Sequence, residues 1–222
     1  MSDTDSFIEE VSEEVRRDRL FAWMKRYGWI AIFAVLLIVG LAAYNEYRKA
    51  QEVTRAQAFG DRVLMALEND EAVARAQALS EIEPNEAGAA AVVGLLRANE
   101  LAQTSDNAGA VDALQRIADD IATPLVYRQI ASFKLLSLQA SSLSLEDRKL
   151  GYEALIGGNP QLRTLSEEQL ALILIEQGKT DEAIVALEAI VQDNEATAAL
   201  KRRATQLIVA LGGSLSGSAA LD

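Results

Sequence analysis

Cysteine and histidine are absent from the 222-residue chain, proline occurs three times, and aromatic residues make up only 5% of it. The first two absences exclude thiolate nucleophiles, Cys/His zinc sites, c-type haem attachment and imidazole acid–base catalysis. No disulfide can hold the fold, so packing must do so alone. With so little proline, and with Ala, Leu, Glu, Gln and Arg dominating long stretches, helix is favoured at almost every position outside a few turns. An all-α protein is predicted, and an apolar content of 50% is enough for a real core.

Positive charge is also in short supply: 21 basic residues face 33 acidic ones, a formal net charge of −12. Residues 45–222 carry 16 basic and 26 acidic side chains, a net −10. A surface of that sign repels phosphate backbones and anionic head groups, so no nucleic-acid binding is expected; a protein partner is.

One long apolar run stands out. Residues 28–44 contain no charge over seventeen positions, about 26 Å as a helix against about 30 Å of hydrocarbon. Tyr27, Trp29, Tyr44 and Tyr47 mark its ends, bracketed by Lys25, Arg26, Arg48 and Lys49 as cations able to snorkel. Core helices are usually shorter and one-sided, and a cleaved leader rarely follows so long and acidic a segment. The run therefore reads as a single transmembrane helix in a lipid bilayer. Arg16, Arg17, Arg19, Lys25 and Arg26 precede it, and only Arg48, Lys49 and Arg55 follow within the same reach. That bias puts the N-terminus in the cytoplasm. The expected organisation is a cytoplasmic segment 1–26, a transmembrane helix 27–44, a helical domain 45–211 across the membrane, periplasmic in a bacterium, and a flexible tail 212–222.

Helical spacing of Val53, Phe59, Val63, Leu64 and Leu67 predicts that the anchor continues as one helix to about Asn69. Beyond it, turn signals recur at Glu83-Pro84-Asn85, Ser105-Asp106-Asn107, Thr123-Pro124, Gly157-Gly158-Asn159-Pro160, Gly178 and Gln192-Asp193-Asn194. Ser144 with Asp147 and Ser166 with Gln169 have capping-box spacing; Pro124 suits a first helical position, and Gly157 and Gly178 suit left-handed C-terminal caps. Ala183, Ile184, Leu187, Ile190 and Val191 form one apolar stripe, and Val111, Leu114, Ala118 and Ile121 another. Each stripe needs a neighbouring helix.

The stretch from Ser166 to Gly178, followed by Ala183, Leu187 and Ile190, resembles a tetratricopeptide repeat. In that family a Gly ends the first helix, a small residue five positions on lets the pair close, and large apolar residues follow at +4 and +7. A fainter copy lies 73 residues earlier at Ala110, Leu114 and Ile117, with residues 126–156 left to supply a pair between. The resemblance implies an α-solenoid of helical hairpins beyond the anchor. It also departs from the family's pattern: Ala171 stands where a Gly is common, and no Pro closes the repeat near Glu195.

No constellation carries chemistry. Gly178-Lys179-Thr180 imitates the end of a phosphate-binding loop, but Ile173 stands where its first Gly is required. The run from Gly212 to Gly217 has the composition of a flexible tail. The acidic groups Glu9-Glu10, Glu13-Glu14, residues 68–71 and Asp119-Asp120 lack calcium-loop spacing, and Lys201-Arg202-Arg203 suits the polar face of a last helix. No catalytic, cofactor-binding or metal-ligating residue is expected, and no enzyme. Phe7, Ile8, Val11 and Val15 form a narrow apolar stripe on a charged helix, suited equally to a partner or to solvent.

The acidic segment from Phe7-Ile8-Glu9-Glu10-Val11 to Arg19, then Tyr27-Gly28, one anchor and a degenerate repeat domain, resembles the YfgM-type ancillary subunit of the Sec translocon in its alphaproteobacterial form. The resemblance implies a single-pass bacterial inner-membrane protein facing the periplasm, with SecYEG and a PpiD-like membrane-anchored folding factor as partners. It would assist exported chains by binding them, without catalysis or cofactor. An envelope assembly or regulatory scaffold is the alternative, and homo-oligomerisation through repeat ends is open.

Overall fold

The computed structural model describes residues 3–214, with side chains from residue 33 onward and at 23, 25–27, 29 and 30. Among the described residues there are nine α-helices and no strand. They are α1 (Asp3–Leu67), α2 (Ala72–Ser80), α3 (Ala87–Gln103), α4 (Asn107–Asp119), α5 (Leu125–Leu138), α6 (Leu145–Ile156), α7 (Pro160–Glu176), α8 (Thr180–Gln192) and α9 (Ala198–Ala210). They divide into two units, one up to Gly60 and one from Asp61.

The first unit is a single helix, most of α1. Trp29, Ile30, Phe33, Leu36, Ile38 and Leu41 on it are all exposed, around its whole circumference. Among the described residues no helix is long and apolar enough to cross a membrane. The uncharged run 28–44 includes three positions, 28, 31 and 32, whose side chains lie outside that description, as do those of Phe7, Ile8, Val11 and Val15.

In the second unit each helix from α2 onward packs on the next, and α3 on α5 and α5 on α7, so antiparallel hairpins stack in series. Helices α2 to α5 begin at residues 72, 87, 107 and 125, and α6 to α9 begin at 145, 160, 180 and 198. Every one of the second set lies 73 residues after its counterpart. The offset seen faintly in the sequence is thus the period of a four-helix unit present twice. Its buried positions correspond: Leu79 with Tyr152, Ala98 with Ala171, Ala110 with Ala183, Leu114 with Leu187, Ile117 with Ile190, Ala131 with Ala204 and Leu135 with Ile208. The small residues fall where helices cross closely; most of the large ones fill one cluster per copy, and Tyr152 joins a third, in which Leu155, Leu162 and Ile173 pack against Phe133 and Leu136 of the first copy.

The turns repeat too. Asp106 and Lys179, before α4 and α8, have φ/ψ of −81°/66° and −88°/63°. Gly178 takes φ 75° after α7, with Gly178 N–H bonded to Ile175 O and Lys179 N–H to Leu174 O, both at 2.9 Å. This Schellman closure satisfies carbonyls the helix leaves open. After α3 the same left-handed position is held by Ser105, at φ 64°. Gly212, at φ 84°, closes α9 in the same way, so the glycine run read as tail begins as a helix cap; residues 215–222 lie outside the described residues.

Three capping expectations need correction. Ser166 is mid-helix and fully buried, because Asn159-Pro160 already starts α7: Asn159 Oδ1 accepts Gln161 N–H at 2.9 Å and Pro160 sacrifices no N–H the helix would use. Pro124 is the N-cap of α5 rather than its first residue, with ψ 137°. Gly157 ends α6 at φ −73°, not in the left-handed region. Ser144 does cap α6: its Oγ accepts Asp147 N–H at 3.1 Å while donating to the Asp147 carboxylate at 2.6 Å.

Candidate protein-binding groove

Ion pairs set how the helices of the second unit lie on one another. Arg148 on α6 donates both Nη atoms to the Glu176 carboxylate on α7, at 2.8 and 2.9 Å. Those bonds hold Glu176 below its ordinary value of 4.5. Arg203 on α9 reaches buried Glu168 on α7 through Nε and Nη2, at 2.8 and 2.7 Å, so one member of the basic triplet near the end of the chain is structural. Arg163 joins Glu167, Asp193 and Glu195. Asp193 is also held below 3.8, first by the Glu195 backbone N–H and then by Arg163. Arg75 on α2 donates Nε to Glu100 at 2.7 Å and Nη1 to the carbonyls of Asn69 and Asp70.

Against this frame, α3, α4 and α5 leave an open pocket of about 280 Å3. Ala98, Ala102, Leu114 and Leu138 make it apolar, and Asn99, Lys134 and Ser137 supply a polar rim. The Ser137 wall is fixed from behind. Its hydroxyl donates to Phe133 O at 3.0 Å, which leaves the buried Tyr152 OH, 3.2 Å away, to donate to it. The Tyr152 ring meets Phe133 edge-on at 5.5 Å, and burial pushes its hydroxyl above the usual value of 10. Among the described residues Lys134 and Asn99 make no side-chain hydrogen bond and face solvent. Such a pocket can seat an apolar side chain while the rim bonds its backbone or a neighbouring polar group.

The second copy builds the same position differently. Leu172, Ile175, Leu207 and Ala210 stand 73 residues after Asn99, Ala102, Lys134 and Ser137, and Leu207 and Leu211 pack against the second core. What is open and polar-rimmed in the first copy is apolar packing in the second.

Of the groove residues, Leu114 is legible in the sequence through the repeat spacing; Asn99, Ala102 and Lys134 are not. The 73-residue alignment exposes these three, as polar or small residues where the other copy has Leu172, Ile175 and Leu207. The acidic doublet Asp119-Asp120 is structural: Asp119 accepts from Gln115 Nε2, and Asp120 from the Ala122 N–H and the Thr123 hydroxyl. Those two bonds hold Asp120 below its ordinary value. Among the described residues no three carboxylates come together as a metal site would require.

A family model described as a tetratricopeptide repeat-like domain matches residues 22–148, from the charged flank of the apolar run through α5 to the start of α6. No curated protein and no solved structure matches the chain.

Proposed function

Since the chain belongs to the tetratricopeptide repeat-like domain family, a family of protein-interaction modules, we propose that it is a non-enzymatic binding module tethered to a bacterial inner membrane. There it would assist exported chains at the periplasmic exit of the Sec translocon. The observation that carries the binding reading is the α3–α5 pocket, open in one copy of a duplicated four-helix unit and occupied by leucine packing in the other.

Membrane tethering rests on the uncharged run 28–44, its aromatic and cationic ends, and apolar side chains exposed on every side of that stretch. Left in water, these would form a far larger apolar surface than soluble monomers carry. The family match begins at residue 22 and so takes in this run. The excess of basic residues before it supports a periplasmic helical domain. The translocon assignment rests on the resemblance of the first fifty residues to the YfgM-type subunit. A tether beside a channel raises local concentration, so weak contacts suffice.

Site-specific photo-crosslinking in native membranes, with probes at positions from Ile30 to Leu41, tests this reading. Adducts to SecYEG or to a PpiD-like folding factor are expected. Adducts confined to a different envelope complex, at normal expression, would replace it with the assembly-scaffold alternative.

A further inference from the structure

A second feature separates the two copies, on the edge between α2 and α3. A pocket of about 410 Å3 opens there, lined by Arg97 together with Gln77, Ser80, Thr104 and Asp106. Arg97 is half-buried, its Nε is sealed from solvent, and among the described residues that atom has no hydrogen-bond partner. The other arginines of the second unit that are not fully solvated are committed: Arg75 to Glu100, Arg128 to Ala118 O, Arg148 to Glu176 and Arg163 to three carboxylates. In the second copy the position of Arg97 is Leu170, which lines the corresponding, smaller groove of about 170 Å3. The helix pair therefore folds with an aliphatic residue at this place. Packing alone does not demand a guanidinium.

We infer that Arg97 anchors a docking site for an acidic side chain of a protein partner, distinct from the α3–α5 groove and independent of the membrane tether. Local charge points to the ligand: against a domain that is net −10, Arg97 is the pocket's basic lining residue and makes no ion pair among the described residues. An uncommitted guanidinium in a concave, partly desolvated setting recognises a carboxylate through charge-assisted hydrogen bonds that water weakens less there. The Gln77 amide adds a donor. Asp106 also lines the pocket, with its Oδ1 accepting Gly109 N–H at 2.9 Å. It repels any anion, a peptide carboxylate included, and offers an acceptor to a backbone N–H. A peptide supplies both groups, a carboxylate for Arg97 and an N–H for Asp106; inorganic phosphate can match both through P–O− and P–OH, so it enters the titration as a competitor.

The test is a titration of the full chain in nanodiscs, following the arginine Nε–H resonances. The probes are acetyl-Ala-Leu-Glu-Leu-Ala-amide, the same peptide with Gln for Glu, and inorganic phosphate. The Glu peptide should shift the Arg97 signal saturably and bind at least about tenfold more tightly than the Gln peptide. Arg97→Leu should abolish that difference while leaving the helical spectrum and the melting temperature near those of the parent. Equal binding of the Glu and Gln peptides, or phosphate binding as tightly as the Glu peptide, overturns the assignment. So does an Arg97→Leu protein that no longer folds while Arg97→Lys folds and shows no preference for Glu, since the guanidinium would then be structural.

Discussion

Residues that differ between the two copies give the sharpest energetic tests. Glu168 is buried and bidentate with Arg203, whereas the same two positions in the first copy hold Leu95 and Ile130. Removing one partner strands a desolvated charge, while replacing both with aliphatic residues is often neutral or better. Arg203→Ala should cost about 1–3 kcal/mol, and the double change Glu168→Leu with Arg203→Ile should restore most of it in a thermal double-mutant cycle. Ser166 has a fully buried hydroxyl without a hydrogen-bond partner among the described residues, and Val93 stands at its counterpart. Ser166→Ala should therefore raise the melting temperature, by the equivalent of about 1 kcal/mol. Titration follows the same logic. Glu176 is depressed below 4.5 by Arg148, so the stability it contributes is present above that pH and is lost as pH falls through the folded-state value. With no histidine in the chain, melting temperature should stay nearly flat from about pH 6 to 8 and decline below about 4.5; Glu176→Gln should shrink the acid decline.

At the scale of elements, helix closure is where the copies are unequal in quality. Gly178 occupies its left-handed position without a Cβ penalty, and Ser105 does so with one. Ser105→Gly should stabilise and Gly178→Ala destabilise, each by about 1 kcal/mol, in chemical or thermal unfolding. Turn chemistry also explains how much of the fold the sequence revealed. Six turn signals each coincide with a junction between described helices, because Gly, Pro, Asn and Asp act through local geometry that distant packing rarely overrides. The capping box at Ser166 failed because its spacing is equally available inside a helix, and the stronger Asn159-Pro160 start lay seven residues earlier. The groove was invisible for a different reason. Asn99, Ala102, Lys134 and Ser137 are ordinary surface residues on their own helices, and only pairing α3 with α5 brings them to one pocket.

At the scale of the whole chain, a duplicated four-helix unit permits one copy to supply stability while the other diverges toward binding. Each copy has a cluster of its own, but a third, around Tyr152 and Phe133, joins α5 of the first to α6 and α7 of the second, so groove substitutions spare the second copy where they leave Phe133 and Leu136 in place. The second copy also prescribes a conservative way to close the groove, Ala102→Ile with Lys134→Leu, the residues found at 175 and 207. Whether the groove binds is decided by placing a photo-reactive residue at Asn99, on its rim, with the groove open or closed by that pair of changes. The open form should trap a translocon component or its folding factor, and the closed form, folded and membrane-inserted to the same extent, should lose at least about 90% of that adduct. Equal adducts from both forms, or none from the open one, would contradict the assignment of binding to this groove.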